Sequence, residues 1–304
     1  MIGLIWIRLP FDMPELPEVQ TTVNDLSKKI IGLKITNIWT DWKKAFKSSP
    51  FDKFKKDVVG RKIVKARRRA KFIILDLSSG KSLLMHQRMS GHLLYGKWEE
   101  KKKGSWVGVS PKLVVEDPKN RFIRHIFFLS NKKMLAFSDL RRFGTISLVD
   151  TKDMDNVKEL KTLGPEPLEK SFTFKKFKDL ISKKKGKIKT LLMDPIFIVG
   201  IGNIYSDEIL WHAGINPLRK VGDIEDKELK KLHRAIISVL KQGLKHRGTS
   251  IDDYRDITGD KGSYQNITKA YHQTGEKCSK KDDGIIKRIK IGGRSAHFCP
   301  KHQK

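Results

Sequence analysis

Cysteine is scarce in this sequence: the 304 residues contain two, Cys278 and Cys299, both near the C-terminal end. Two cysteines cannot build the framework of several disulfides that stabilises many small secreted domains. No apolar run reaches the length that crosses a bilayer, and the apolar opening MIGLIWI lacks the basic flank and the small-residue cleavage site of a secretory signal. The sequence therefore predicts a cytoplasmic protein with no membrane partner.

Acidic residues are also few. The chain carries 34 Asp and Glu against 64 Lys and Arg, which gives a formal net charge of +30 at pH 7. Because the excess is spread along the chain, the surface is expected to attract a polyanion, most simply a nucleic acid. A lysine-rich proteome is the alternative explanation, since exposed lysine accumulates at little cost, but it accounts for only part of the excess.

Hydrophobic spacing in the first half predicts one helix followed by many strands. Four apolar residues recur at helical spacing, namely Val19, Val23, Leu26 and Ile30. Gly32 is placed to end this helix. Short β-rich runs follow up to about residue 150, a density typical of a sandwich or barrel. These runs are KITNIWT, KFIILDL, KSLLMHQ, PKLVVED, RHIFFL, MLAFSDL and TISLV. The charged stretch 96–106 is predicted to be a solvated loop.

Helical periodicity replaces the strand pattern after the Pro- and Gly-containing stretch LGPEPLEKSF. Helical segments are predicted within 172–194, 203–213 and 223–248. A polar loop follows them. The runs IIKRIKI and SAHFC then flank GGR, a hairpin pattern that lies between the two cysteines.

The stretch MPELPEV at residues 13–19 contains a candidate nucleophile. If the mature chain starts at Met13 and loses it, Pro14 becomes a secondary amine that can condense with an aldehyde-level carbon to form an iminium. An α-amino group has a lower pKa than a lysine side chain, so more of it is neutral near pH 7. Glu15 and Glu18 are candidates for general acid and base, although the helix dipole also favours carboxylates at a helix start.

Eight sequence blocks occur in an order that resembles the formamidopyrimidine-DNA glycosylase family. They cover nearly the whole chain from residue 13 onward. The blocks are PELPEV, RRAKFIILDL, MHQRMSG, DLRRFG, LGPEPL, IKTLLMD, VGIGNIYSDEILWHAGINP and GGRSAHFCPKH. The resemblance implies a bifunctional DNA glycosylase and AP lyase of base-excision repair. Such an enzyme removes oxidised purines, chiefly 8-oxoguanine and formamidopyrimidines, from duplex DNA and then cleaves the strand by β,δ-elimination.

The resemblance also implies an α+β fold. Residues 13–150 would form an N-terminal catalytic β-sandwich with a leading helix, and 151–170 a hinge linker. Residues 171–250 would form a helix–two-turns–helix domain that binds DNA, and 264–304 a β-hairpin finger.

Catalytic roles are carried over residue by residue. Pro14 would attack C1′ of the damaged nucleoside, and Glu15 would protonate the sugar ring oxygen. Lys71, in a β-run, matches a lysine that works beside the nucleophile. Glu18 is expected to support the helix start and the Pro14 turn.

Contacts to DNA are implied in the same way. A base that is extruded from the duplex leaves a void that side chains must fill. Three residues match the void-filling positions: Met89, Arg141 and Phe143. Three others match phosphate contacts: Lys189, Asn203 and Arg294. Taken singly, such residues are more often core or surface side chains, or, for Asn203, a helix cap.

The finger departs from the family, which usually carries two C-x2-C pairs of zinc ligands. Lys281 stands where the first pair ends, and His302 stands where the second pair ends. A protonated lysine cannot bind zinc. Cys278, Cys299 and His302 remain as candidate ligands, and Asp282 is a candidate fourth. Because carboxylates are uncommon in structural zinc sites, a finger held by packing without zinc is expected.

The block MHQRMSG is a second departure, because the family commonly has Leu-Gly before the methionine. Gln87 and Arg88 occupy those two positions. They place polar and basic groups beside the void-filling Met89. We expect these two residues either to alter the lesion preference or to add a phosphate contact.

Other functions stay open. One is an endonuclease VIII-like glycosylase for oxidised pyrimidines, and another is a catalytically silent damaged-DNA-binding protein if Pro14 stays blocked. Binding to an acidic protein would instead give an affinity that no lesion changes. We interpret residues 1–12 as a start-site extension that the mature protein lacks. We expect a bacterial-type monomer that acts on duplex DNA at the nucleoid, without an organic cofactor.

Overall fold

The computed structural model describes residues 13–304, so the interpretation of residues 1–12 lies outside the described residues. The described chain divides into two compact units. The first unit contains residues 13–166 and 240–267, and the second contains 167–239 and 268–304. The chain therefore returns to the first unit after residue 239, which the domain limits drawn from the sequence do not include.

The first unit is a β-sandwich with a leading helix, and the predicted fold class is confirmed. One sheet has the strand order β1-β7-β8-β5-β6, and the other has the order β2-β3-β4-β9. The strands are β1 (Ile35–Thr40), β2 (Ile63–Arg69), β3 (Phe72–Leu77), β4 (Lys81–His86), β5 (His92–Lys102), β6 (Ser105–Ser110), β7 (Ile123–Leu129), β8 (Met134–Ser138) and β9 (Thr145–Asp150). The helices are α1 (Leu16–Lys29), α2 (Phe51–Val58), α3 (Lys112–Glu116) and α4 (Lys158–Lys161).

The core of this unit lies between the two sheets and under α1. Val19, Val23 and Leu26 of α1 are buried in the same apolar cluster as Ile73 of one sheet and Phe137 of the other. Their helical spacing is the reason that α1 packs one face on the sandwich. Burial of this apolar area drives the association of the helix with both sheets.

The antiparallel register brings three connections to one end of the sandwich. His86, at the end of β4, pairs with Phe72 at the start of β3 and with Thr145 at the start of β9. In the other sheet, His92 at the start of β5 pairs with Ser138 at the end of β8. The β2–β3 turn, the β4–β5 loop and the β8–β9 loop therefore emerge together.

The second unit is helical and ends in a β-hairpin. Its helices are α5 (Phe174–Ile181), α6 (Ile188–Leu192), α7 (Asn203–Ala213) and α8 (Asp226–Lys245), of which the residues from 240 onward group with the first unit. The hairpin consists of β10 (Lys287–Ile291) and β11 (Arg294–Phe298). Within residues 13–304, no helix is both long and apolar enough to cross a membrane.

Two sequence-based assignments of local structure were wrong. The charged stretch 96–106 is the β5–β6 hairpin and not a loop, because Trp98 is buried and Trp106 packs against Trp39, with 5.7 Å between the ring centroids. The run PKLVVED forms the short helix α3 and not a strand, since Val114 alone among Lys112–Glu116 is buried. Strand β2 and helix α2 were not predicted at all.

Gly91 lies where the chain crosses from one sheet to the other, and an alanine there is expected to destabilise the protein. An added Cβ would lie 2.4 Å from the carbonyl oxygen of Gln87 and 2.5 Å from Cε2 of Phe137. Such overpacking costs about 1–3 kcal/mol. The Gly91→Ala change should therefore lower the free energy of unfolding in urea by about that amount. Gly222→Ala is the control, because its Cβ meets nothing within 4 Å, and equal stability of the two variants would contradict the packing described here.

Candidate functional site

Helix α1 runs antiparallel along strand β2, which decides where the helix begins. The Ser27 hydroxyl bonds to the carbonyl oxygen of Ala66 at 3.5 Å, and Arg68 Nε donates to Gln20 Oε1 at 2.8 Å. The helix thus moves toward the β2–β3 turn as it is followed back to its first residues. The start of α1 and Lys71 therefore lie at the same end of the sandwich.

The Glu18 carboxylate fixes the helix start. It is completely buried and accepts a hydrogen bond from the backbone N–H of Glu15 at 2.8 Å. It also accepts one from the backbone N–H of Thr249 at 2.7 Å. A side chain on Gly248 would place its Cβ 2.6 Å from Glu18 Oε1. Glu18 therefore joins the residue next to Pro14 to the segment 240–267 of the same unit.

Lys71 lies in the two-residue turn between β2 and β3, and not within a strand as the sequence suggested. The preceding residue, Ala70, has a positive φ of 52°, a conformation that an alanine adopts only when its surroundings hold it. Glu166 does so, because its buried carboxylate accepts from the Ala70 N–H at 2.7 Å. The same carboxylate pairs with Arg68 at 2.5 Å and Arg69 at 3.2 Å. Sequence reasoning missed Glu166, although it lies in the LGPEPL block.

Asp139 joins the β4–β5 loop to the β8–β9 loop. Its carboxylate accepts from the Ser90 hydroxyl at 2.6 Å and from the Gly144 N–H at 2.8 Å. The Ser90 oxygen accepts in turn from the Arg141 N–H at 3.0 Å. Arg141 Nη1 lies 3.8 Å from the sulfur of Met89. The structure therefore brings together two of the three predicted void-filling residues.

The third residue that was predicted to fill the void, Phe143, differs from Met89 in exposure. Phe143 is 46% exposed, whereas Met89 is 5% exposed. A single exposed apolar side chain does not by itself mark a binding site, but the Phe143 ring lies in the β8–β9 loop, two residues after Arg141. In this conformation Phe143 is available to a partner and Met89 is withdrawn.

His86 is a further residue at this end of the sandwich that sequence reasoning missed. Burial, and then the charges of Arg88 and Lys71, lower the pKa of His86 well below its usual range. Its Nδ1 accepts from the backbone N–H of Arg88 at 2.9 Å. The imidazole is therefore neutral at pH 7. The pairing of His86 with Phe72, the residue after Lys71, places the imidazole beside the Lys71 turn.

In the second unit, Asn203 and Arg294 lie on neighbouring elements. Asn203 is the first residue of α7, and Gly202 occupies the cap position that the sequence assigned to Asn203. Asn203 Nδ2 lies 3.4 Å from the Ser295 hydroxyl, next to Arg294 on β11. Within residues 13–304, no side chain forms an ion pair or hydrogen bond with the Arg294 guanidinium. A helix start beside an available guanidinium suits a phosphate.

Lys189 does not fit its predicted role as a phosphate contact. Its side chain is fully buried, with Nζ 2.6 Å from Asp207 Oδ1 and 3.2 Å from the carbonyl oxygen of Asn203. The other oxygen of Asp207 accepts from the backbone N–H and from Nδ1 of His297, each at 2.9 Å. The ammonium therefore faces a buried carboxylate and not solvent. Lys189 therefore stabilises the position of Asn203 directly and that of β11 through Asp207.

Glu208 is a second buried carboxylate on α7 that the sequence did not reveal as important. It accepts hydrogen bonds from the backbone N–H groups of Lys269, Ala270 and Tyr271 at 2.8–2.9 Å. Burial raises the pKa of Glu208 to about 7, although these hydrogen bonds act in the opposite direction. Glu208 thus fixes the segment that leads into the finger.

The finger gathers three of its four candidate zinc ligands. The ligand atoms of Cys278, Asp282 and Cys299 all lie within 4.8 Å of one another. His302 is not part of this group; its backbone N–H lies 3.4 Å from the Cys299 sulfur, and its Nε2 lies 2.8 Å from the carbonyl oxygen of Trp211. A closed structural zinc site needs four protein ligands. The described residues therefore bring together one candidate ligand fewer than such a site needs, and the place of His302 among the ligands stays a prediction.

Apolar packing holds the base of the finger. Both cysteines belong to a buried cluster with Trp211, Ala270 and Ile286. On the hairpin itself, Ile291 and Phe298 are buried and Ile289 is half-buried. The Gln303 side chain accepts from the Cys299 N–H at 2.8 Å and donates to the Ile215 carbonyl at 2.9 Å.

Comparison with known proteins agrees with this arrangement. The model of the formamidopyrimidine-DNA glycosylase N-terminal domain matches residues 13–146, and that of the H2TH domain of the same enzyme matches residues 163–255. The formamidopyrimidine-DNA glycosylase of Pelotomaculum thermopropionicum is 40% identical over 292 residues, which are 96% of this chain and 99% of that protein. The one of Desulforamulus reducens is 39% identical over 293 residues, again 96% and 99%. The chain belongs to the formamidopyrimidine-DNA glycosylase family.

Solved structures of this glycosylase family extend the likeness to three dimensions. A Lactococcus lactis Fpg in complex with DNA that contains an abasic site has a TM-score of 0.82 and 31% identity, over 95% of this chain and 99% of that chain. Another, in complex with DNA that contains FAPY-dG, has the same TM-score and identity, over 95% and 100%. The present glycosylase is thus an enzyme of DNA base-excision repair.

The buried pair of Lys189 and Asp207 predicts that the Lys189→Met change acts first on stability. The change leaves Asp207 without its cation, and breaking a buried pair costs about 3–5 kcal/mol in the free energy of unfolding. Loss of a direct phosphate contact would instead lower the slope of DNA affinity against salt by about one without a loss of stability. Urea unfolding and binding titrations at several salt concentrations measure the two effects.

Lys187→Met is the matched control, since Lys187 is exposed two positions earlier. Its free energy of unfolding should stay within about 0.5 kcal/mol of the unaltered protein. If Lys189→Met kept full stability and its salt slope fell by about one, the ammonium would be a phosphate contact after all.

Proposed function

We propose that this glycosylase excises oxidised purines, 8-oxoguanine and formamidopyrimidines, and then cleaves the DNA strand through a Schiff base on Pro14. The observation that carries the proposal is the convergence at one end of the sandwich. The start of α1, the Lys71 turn and the loops that hold Met89 and Arg141 all emerge there. Buried carboxylates hold the residues beside these groups. Glu18 accepts from the Glu15 N–H, Glu166 from the Ala70 N–H, and Asp139 from the Ser90 hydroxyl.

The chemistry begins at the Pro14 nitrogen, which must be a free amine. The nitrogen forms a bond to C1′ as the bond between C1′ and the base breaks, and the base leaves with the electron pair and gains a proton. Glu15 then protonates the sugar ring oxygen, so the ring opens and an iminium forms. The iminium acidifies the 2′ proton, whose loss expels the 3′ phosphate. A second elimination expels the 5′ phosphate.

Lys71 is proposed to act beside the nucleophile. A second ammonium there would favour the neutral form of the Pro14 amine and would stabilise the departing phosphate. The hydrogen bond from Ala70 to Glu166 supports this role, because it holds the turn in one conformation. Positioning of this kind matters, since small displacements of reacting groups reduce rates strongly.

The β4–β5 and β8–β9 loops are proposed to fill the space that the extruded nucleotide leaves. Phe143 is already exposed, and Met89 contacts Arg141. An apolar wedge and a guanidinium are suited to this task, because one unstacks bases and the other hydrogen-bonds to the unpaired partner. The Ser90–Asp139–Arg141 hydrogen bonds support a coordinated placement of both loops.

Arg294 and Asn203 are proposed to bind the DNA backbone. The positive end of α7 adds to the guanidinium charge, and both attract phosphate. The net charge of +30 supports long-range attraction of the same polyanion. Binding should therefore weaken as salt concentration rises.

A catalytically silent DNA-binding protein is the second candidate, because twelve residues precede Met13 in the sequence. If these residues remain, the Pro14 nitrogen is an amide that cannot form an iminium. DNA contacts would be unaffected. The two candidate functions therefore differ only in whether the Pro14 nitrogen is a free amine or an amide.

Trapping with borohydride tests the nucleophile. A chain that begins at Pro14, after loss of Met13, should form a covalent adduct with an 8-oxoguanine duplex, and peptide mass mapping should place the adduct on Pro14. A chain that keeps residue 1 should form none, because its Pro14 has no free amine. Undamaged duplex is the control for non-specific reaction. The proposal fails if a chain proven by intact mass to begin at Pro14 gives no adduct.

We further propose that the finger holds its shape without zinc, because only three donors gather there. Metal analysis of the purified protein should give well below one zinc per chain. Chelation should leave the midpoint of thermal unfolding unchanged, since the apolar cluster and Gln303 hold the hairpin base. A midpoint that falls on chelation and returns with added zinc would contradict this proposal.

A further inference from the structure

Gln87 is a buried amide that the site described so far does not use. Its side chain is 1% exposed. Neither Oε1 nor Nε2 hydrogen-bonds to any residue between 13 and 304. A primary amide carries two donors and an acceptor, and leaving them unbonded in the interior costs free energy. Such an amide calls for an explanation, and a bound molecule that brings both a donor and an acceptor supplies one.

The position of Gln87 indicates which molecule its amide would bind. It follows His86, whose ring packs edge-on against Phe72 with 4.6 Å between the centroids, and Phe72 follows Lys71. It also stands two residues before Met89 in the same short loop. Gln87 therefore lies between the turn that carries Lys71 and a residue proposed to enter the duplex.

The unbonded atoms also restrict the chemistry of the partner. A phosphate offers acceptors only, so it would satisfy Nε2 and leave Oε1 unbonded. A nucleobase edge offers a donor and an acceptor side by side. Arg88, the next residue, carries a guanidinium that is suited to a phosphate. The neutral amide of Gln87 is better suited to a base.

We propose that Gln87 is a recognition residue for the extruded oxidised purine, an inference that rests on the function proposed above. Guanine carries only acceptors, N7 and O6, on its major-groove edge. 8-Oxoguanine carries a proton on N7 between two carbonyl oxygens, and a formamidopyrimidine carries a formamide N–H and C=O there. The Gln87 carbonyl accepts from the N–H that undamaged guanine lacks, and its amide N–H donates to the adjacent carbonyl oxygen.

The substitution Gln87→Leu tests this proposal, because the family commonly has leucine at this position and the change keeps a similar volume. In single-turnover reactions of a chain that begins at Pro14, excision of 8-oxoguanine should slow by about tenfold or more, the factor that about 1.4 kcal/mol gives. Cleavage of a duplex with a ready-made abasic site should change by less than about twofold, because no base is present to be recognised. Gln87→Met is a second variant of similar length and should behave like Gln87→Leu.

Thermal unfolding supplies a readout that does not depend on activity. Without DNA, Gln87→Leu should raise the unfolding midpoint, since it removes an unbonded amide from the interior. A lowered midpoint would mean that the amide is bonded in the free protein, and the proposal would be wrong.

Other outcomes are equally decisive. Equal excision of 8-oxoguanine by Gln87→Leu and the unaltered protein would overturn the proposal, and so would equal slowing on both substrates, which indicates a structural role. Failure of the proposed function itself is seen in the unaltered protein, which would then form no adduct and excise no 8-oxoguanine.

Discussion

The hydrogen bonds of the buried Glu18 carboxylate decide where the first described residues lie, and the proposed chemistry depends on that placement. A carboxylate without solvent must be hydrogen-bonded, and Glu18 meets this need with the N–H groups of Glu15 and Thr249. Because Thr249 lies in the segment that returns to the first unit after residue 239, the residue next to the proposed nucleophile is bonded to a part of the chain that is distant in sequence. The start of α1 is therefore positioned by the fold of the first unit.

Buried carboxylates hold the loops of the proposed site. Glu166 fixes the Lys71 turn, Asp139 joins the β4–β5 and β8–β9 loops, and Asp207 and Glu208 fix the hairpin and the segment that leads into it. Their partners are mainly backbone N–H groups, so they set main-chain geometry rather than surface charge. A chain with only 34 acidic residues thus uses several of them inside. Most of the basic residues lie at the surface, where they add to the attraction of DNA, whereas Lys189 and Arg255 are buried.

The sequence predicted the helices and strands whose hydrophobic periodicity is visible within a short stretch of residues. Helix α1 and the apolar strands were found because their periodicity reflects one buried face. The β5–β6 hairpin was missed because lysines dominate the run, whereas the packing of Trp98 and Trp106 comes from distant residues. Burial of Lys189 could not be read either, since its partner Asp207 is eighteen positions away and only the fold brings them together. The motifs therefore predicted which residues belong to the site. Only the tertiary structure distinguishes the residues that can contact a ligand from those, such as Lys189, that hold other residues in place.

The Asp207 hydrogen bonds explain how the finger can lose ligands and still present Arg294. In a zinc finger of this kind, four ligands would hold the strand that carries the arginine. Here Lys281 stands in place of a ligand and His302 is not part of the group of Cys278, Asp282 and Cys299, yet His297, three residues after Arg294, is bonded twice to a carboxylate on α7. The same carboxylate is neutralised by Lys189, which also bonds to the carbonyl of Asn203. One buried pair thus connects both of the proposed phosphate-binding positions, so α7 can hold the hairpin that carries Arg294 without relying on a metal.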